Sequence, residues 1–164
     1  MKTPLVSVVL PVWNPDPVLL KQALESLLAQ TIQDFEIVVS EEPSPRTAHG
    51  VLAALADPRI VHIFHEKRTS LVEQIRRAHA HCRSDLVARM DGDDICHPAR
   101  LEKQVAFMVA HPDVSVCGTQ LEVIDGNGRT LGYRRYPTSH EAIISAMRRY
   151  SPLAQPSVIY RKAE

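Results

Sequence analysis

The sequence predicts an α/β fold, a Rossmann-like and mainly parallel sheet with helices on both faces. Two observations predict it. Short apolar runs rich in β-branched residues alternate along the chain with longer segments whose apolar residues recur at helical spacing. The helical segments are also long enough to act as crossovers between parallel strands, which is how βαβ units are built. At 164 residues the chain has the size of about one domain and can bury a core of its own, so residues 1–164 are expected to form a single domain.

The elements follow in order. Residues 4–13, PLVSVVLPVW, read as the first strand. Residues 15–30 place Leu20, Ala23, Leu24, Leu27 and Leu28 at helical spacing, and Asp16 with Pro17 suits a helix start. DFEIVVS (34–40) is the second strand, Arg46 to Ala56 a helix, and RIVHIF (59–64) the third strand. Ser70 to Ala80 is a helix, DLVARM (85–90) the fourth strand, and Pro98 opens a helix running to Ala110. Within residues 114–136 two strands are expected around the turn Asp125-Gly126-Asn127-Gly128.

Composition excludes several classes of function. Lys plus Arg balance Asp plus Glu at 19 each, so the overall charge does not point to nucleic acid. No apolar run approaches the roughly 20 residues a membrane span needs, and Met1-Lys2-Thr3-Pro4 leads straight into a strand without signal-peptide architecture. A cytoplasmic protein is expected. The basic residues Arg134, Arg135, Arg148 and Arg149 read as a solvated face, or as a contact for an anionic acceptor or the inner face of the plasma membrane. Cys82, Cys96 and Cys117 are odd in number and widely spaced, which fits reduced packing thiols.

Ligands of parallel α/β sheets bind beyond the carboxyl ends of the strands. The first strand delivers Trp13 and Asn14 to that edge, the second Glu41 and Glu42, and the fourth Asp91, Asp93 and Asp94, with Gly92 expected to help the chain turn. Hard carboxylate oxygens suit Mg²⁺ or Mn²⁺, with substrate phosphates and waters completing the shell. Zinc does not fit, because Cys96-His97 lacks further ligands at zinc spacing. Trp13 is open to two readings, core or a platform for a base, and Glu41 and Glu42 to two, ligand contacts or a solvated pair. Arg76 is either a phosphate contact or a helix-surface residue beside Glu73.

The segments VSVVLPVWN, SLLAQTIQDFEIVVSEEPS, ARMDGDDICHPARLEKQV and QPSVIYRK, in this order, resemble the inverting glycosyltransferases of family 2. The resemblance spans nearly the whole chain and implies the GT-A fold, with this chain as the N-terminal, donor-binding part of the catalytic domain. It implies that Pro11, Trp13 and Glu42 contact the nucleotide, that Asp91 contacts the ribose or sugar, and that Asp93 is the ligand of Mn²⁺ or Mg²⁺, with Asp94 the less defined third acid. The implied partners are a nucleoside diphosphate sugar, a UDP-sugar being favoured, and a glycan or lipid-linked acceptor in the assembly of cell-envelope glycans.

Three departures from the family pattern matter. Glu41-Glu42-Pro43-Ser44 stands where two aspartates and Gly-Ser are usual, which puts the base preference in question. The segment TSLVEQIRRAHAHC lacks the usual Gly near its start. An inverting displacement also needs a base for the acceptor hydroxyl, and the family's acidic base motif falls downstream of QPSVIYRK, so the base is expected beyond Glu164. Neither Glu122 nor Asp125 is assigned that role. A nucleotide-sugar-binding module without turnover is the alternative. A nucleotidyltransferase ranks last, since LPVWNPDP has neither Gly nor Lys to cradle a triphosphate.

Overall fold

The computed structural model describes residues 2–162. Its elements in chain order are β1 (Val6–Val12), α1 (Pro17–Leu28), β2 (Phe35–Glu41), α2 (His49–Leu55), β3 (Ile60–Phe64), α3 (Leu71–His81) and β4 (Leu86–Arg89), followed by α4 (Arg100–Ala110), β5 (Val116–Cys117), β6 (Leu121–Ile124), β7 (Thr130–Arg134), α5 (His140–Met147) and β8 (Ile159–Arg161). A 6-stranded sheet has the order β3-β2-β1-β4-β8-β5. The first four of these strands are mutually parallel, and β8 runs antiparallel to both β4 and β5.

Strands β1, β2 and β4 read as mainly apolar runs because both faces of the sheet are covered there. Side chains alternate between faces. Val6, Val8, Leu10 and Val12 of β1, Phe35, Ile37 and Val39 of β2, and Leu86 and Ala88 of β4 pack on one side. There they meet Leu20, Leu24 and Leu27 of α1, Val51 of α2, and Leu101, Val105 and Met108 of α4. Val9, Val38 and Val87 point the other way, to Ala78 of α3 and to Cys82. Each fully buried leucine contributes about 1.5–3 kcal/mol relative to an exposed one.

Local chemistry sets the helix starts. Asp16 caps α1, its Oδ1 accepting from the amides of Val18 (2.9 Å) and Leu19 (3.2 Å), with Pro17 in the first turn. Ser70 caps α3 through the Glu73 amide at 3.2 Å. The second helix begins later than the expected Arg46, because residues 44–48 are committed elsewhere. The Arg46 guanidinium donates to the Asn14 carbonyl at 3.0 Å, and the Ala48 amide donates to the buried Glu41 carboxylate at 2.8 Å. Ala56, at φ 45°, ends that helix in the left-handed region.

The β6–β7 hairpin forms as expected. Its turn is held by Asp125, whose Oδ1 accepts from the amides of Asn127 and Arg129, both at 2.9 Å, while Gly128 takes φ 79°. The short strands β5 and β8 and the helix α5 have no counterpart among the expected elements. Strand β8 adds to the far side of β4, pairing Ala88 with Ile159, and so places β4 in the interior of the sheet.

Candidate functional site

Strands β2, β1 and β4 are neighbours in the sheet, so their carboxyl ends lie side by side. The chain leaves β4 through Met90, whose amide donates to the Val9 carbonyl at 3.1 Å, and enters the loop carrying Asp91, Asp93 and Asp94. Gly92 has no left-handed backbone; its bare α-carbon instead lets the loop lie against Leu20 and Leu10 of the core. The three carboxylates are not equivalent. Asp91 is half-buried, and its Oδ1 accepts from Nη2 of the buried Arg89 at 2.8 Å. Asp93 and Asp94 are open to solvent.

Crowding shows in their acidity. Burial raises the Asp91 carboxyl above the usual aspartate range, Arg89 pulls it back, and Asp93 pushes it up again. Asp94 is pushed up to about 6, first by lost solvation in the crevice and then by repulsion from Asp91 and Asp93. Its side chain keeps access to solvent, so this is the desolvation of a crevice wall, not of a core. Two buried arginines, Arg89 and Arg100, sit beneath the loop and offset part of the repulsion.

Among the described residues no three His, Cys, Asp or Glu side chains gather into a metal cage. The donor set still fits a hard divalent cation on its chemistry, because Mg²⁺ and Mn²⁺ are commonly held by one or two carboxylates while phosphate oxygens and waters fill the rest of the shell. Asp93 is the exposed carboxylate at the mouth of two crevices, of about 390 and 700 Å³, which open between the acidic loop and the β6–β7 hairpin. Since Asp94 is uncharged below about 6, cation binding at this loop is expected to strengthen as pH rises through that value. Mn²⁺ titrations on either side of it, repeated on Asp94→Asn, check this; the variant is expected to flatten the pH dependence.

The other expected site residues lie as follows. Trp13 is not core: the residue is 46 % exposed just beyond β1, and the Arg68 guanidinium lies over its ring, 3.8 Å from the centroid. Pro11 is buried inside β1, paired with Ser40 of β2. Glu41 and Glu42 are no solvated pair. Glu41 is fully buried and binds His62 Nε2 at 2.7 Å as well as the Ala48 amide. Glu42 is buried too and accepts from both the Thr69 hydroxyl and the Thr69 amide, the latter at 2.9 Å. It thereby anchors the loop that carries Arg68 to Trp13. Arg76 is exposed on α3, its fork closed on Glu73 at 2.7 and 2.8 Å. His97 accepts the Ala99 amide at 3.3 Å.

Sequence reasoning overlooked Arg68 and Arg89. Arg68 meets Trp13 only through the fold. Arg89 lies inside the run DLVARM, where the apolar pattern hides it, although an arginine in a strand buried on both faces is itself a signal.

Comparison with known proteins places this geometry. The family model described as "Glycosyl transferase family 2" matches residues 7–159. The chain is 34 % identical over 160 residues to the amylovoran biosynthesis glycosyltransferase AmsE of Erwinia amylovora, covering 95 % of this chain and 59 % of that protein. It is 34 % identical over 147 residues to the putative glycosyltransferase EpsE of Bacillus subtilis, covering 87 % of this chain and 52 % of that one. The chain spans about half the length of the curated relatives it matches. Among solved structures, S. aureus TarS 1–349 in complex with UDP-GlcNAc superposes with a TM-score of 0.75 at 19 % identity, over 95 % of this chain and 45 % of TarS. The mannosyltransferase PcManGT of Pyrobaculum calidifontis, in complex with GDP-Man and Mn²⁺, gives 0.68 at 16 % identity, over 98 % and 45 %. These likenesses show the fold, the expected GT-A arrangement.

Proposed function

We propose that this chain, which belongs to glycosyl transferase family 2, binds a nucleoside diphosphate sugar across the ends of β1, β2 and β4 for inverting transfer of the sugar to a hydroxyl acceptor. The observation that carries the reading is the meeting, at neighbouring strand ends, of an exposed indole and a loop of three carboxylates on buried arginines. In this reading Trp13 stacks on the base, Pro11 shapes the floor beside it, and Glu42 acts on the nucleotide chiefly by holding the Thr69 loop. Asp91 accepts from a ribose or sugar hydroxyl. A Mn²⁺ or Mg²⁺ ion would be held by Asp93, and when bound it supplies the positive charge that a departing diphosphate needs. Arg76 reaches a phosphate only after releasing Glu73.

Support for a nucleotide-sugar donor comes from the fold neighbours solved with UDP-GlcNAc and GDP-Man; a UDP-sugar is favoured. The acceptor is proposed to be a glycan or lipid-linked glycan of polysaccharide assembly, the setting named for AmsE. Among the described residues no helix is long and apolar enough to cross a membrane; the site of action is proposed as the cytoplasm, with the basic residues Arg134, Arg135, Arg148 and Arg149 available to an anionic membrane face. The described residues here take the donor-binding role, and no residue is assigned as the base.

The test is calorimetric titration with UDP, GDP and dTDP, each with and without Mn²⁺. One nucleotide is expected to bind, and only with the metal; no binding of any of the three sinks the reading. Trp13 supplies a second check, since it is the single tryptophan. A base stacking on the ring either displaces the Arg68 guanidinium from its face or covers the opposite one, so the indole emission is expected to change in step with the calorimetric isotherm. An unchanged emission on saturation would move the base away from Trp13.

A further inference from the structure

We propose that Arg89 is a positioning residue for Asp91: it fixes that carboxylate at the end of β4 so that the second oxygen is presented to a hydroxyl of the donor. The inference rests on the donor-site reading above and gives a defined role to a residue that the sequence pattern passed over and which that reading names only among the buried arginines beneath the acidic loop.

The starting point is a cost. Arg89 is only 6 % exposed, in a strand paired on both sides within the sheet. Its register partner on β1 is Val9, and alternation puts it on the α3 face with Val87. An arginine in such a place loses its hydration, and the loss is offset only when all its donors are met. They are not. Nε of Arg89 is the one buried side-chain nitrogen or oxygen without a hydrogen-bond partner among the described residues. A straight-chain apolar residue such as methionine would fill much of the space without that penalty, so packing and stability do not account for a guanidinium here.

What the guanidinium does accomplish is local. Nη2 donates to Asp91 Oδ1 at 2.8 Å, a charge-assisted bond two residues along the chain. The base of the arm is held firmly: the Arg89 amide donates to the Val158 carbonyl at 2.9 Å, and its own carbonyl accepts from Arg100 Nη2 at 2.7 Å. Strand β8 and helix α4 thus hold the backbone from which Arg89 reaches Asp91. With Oδ1 engaged by Arg89, Oδ2 is the freer oxygen of Asp91, with no protein donor among the described residues. Asp91 also carries the repulsion of Asp93, which Arg89 counters. Without the guanidinium the carboxylate would be free to rotate away from its neighbours and into solvent. A hydrogen bond to ligand then requires ordering it at the moment of binding, a loss of preorganisation.

This predicts opposite signs for stability and binding. Arg89→Met removes the unmet donor and the buried charge, while Asp91, partly solvated, can tolerate losing its partner. The melting temperature is expected to stay level or rise, and the affinity for UDP with Mn²⁺ to fall about tenfold, as expected for a lost charge-assisted bond. Asp91→Asn is expected to fall at least as far, and the double variant no further than Asp91→Asn alone, because Arg89 acts through Asp91. Calorimetry on the four proteins, with melting curves alongside, decides it. The proposal is overturned if Arg89→Met binds UDP like the parent, if it loses melting temperature and affinity together, or if the two substitutions multiply independently. If the parent chain binds no nucleoside diphosphate at all, the donor-site reading has failed and takes this one with it; binding by the parent with an unaffected Arg89→Met separates the two failures.

Discussion

Replacing Asp93 by alanine is expected to abolish metal-dependent nucleotide binding while leaving the fold intact. Asp91 already spends one oxygen on Arg89, and Asp94 is uncharged below about 6. Of the two exposed carboxylates of this loop, Asp93 lines both crevices and Asp94 only one, which makes Asp93 the one best placed to hold a cation facing a diphosphate. If a cation bridges protein and phosphates through this group, its removal costs the metal, and with it most of the attraction for the diphosphate. A loss of at least a hundredfold in affinity, about 2.7 kcal/mol or more, is expected. Stability is not expected to suffer, since surface substitutions usually stay within about 0.5 kcal/mol, and less repulsion on Asp94 works in its favour. Calorimetry with UDP and Mn²⁺, paired with a melting curve, measures both. An Asp93→Ala protein that binds as tightly as the parent would reduce the acidic loop to a solvated turn on two arginines.

The parts of this molecule that were legible in the sequence are those set by local pattern. Strands β1, β2 and β4 are covered on both faces, so their apolar runs stand out, and α1 and α3 carry capping residues at their starts. The place of the acidic loop followed from strand order alone. Strand β8 escaped because three residues pairing antiparallel with β4 and β5 carry no period. The helix expected from Arg46 starts late because Asn14, 32 positions away from Arg46, and Glu41, 7 away from Ala48, claim its first residues, contacts that no local rule contains. The same reason hid the working of the acidic pair after β2. Glu42 finds Thr69 and Glu41 finds His62 only once β2 and β3 are paired. Both carboxylates are buried: Glu42 holds the Thr69 loop, next to the Arg68 that lies over Trp13, and Glu41 holds His62 and the start of α2.

At the other end of the sheet, Glu36→Ala is expected to destabilise the protein by about 2–4 kcal/mol, since each buried donor left without an acceptor costs about 1–3 kcal/mol. Glu36 lies in β2 at 1 % exposure, inside a segment that reads as a plain apolar strand. Its Oε1 accepts from the Ser7 hydroxyl at 2.6 Å and the Arg83 amide at 2.8 Å, and its Oε2 from Arg83 Nε at 2.6 Å. Ser7 Oγ in turn accepts from the Ser84 amide at 3.0 Å, so one carboxylate joins β2, β1 and the turn leading into β4. Arg83 is nearly half exposed and can be resolvated; the Ser7 hydroxyl and the neighbouring amides cannot, and they account for the cost. Burial alone would raise the Glu36 carboxyl, but the bonds from Ser7 and Arg83 outweigh it and hold it below the ordinary glutamate value of 4.5. A folded-state value below the unfolded one means that this stability is fully present above about 4.5 and is lost as pH falls through the depressed value. Urea unfolding of Glu36→Ala and its parent, at neutral pH and again below that range, checks both parts. The gap between them is expected to be wide at neutral pH and to narrow in acid; a gap that does not close in acid would show that packing, and not the charge of Glu36, joins these three strands.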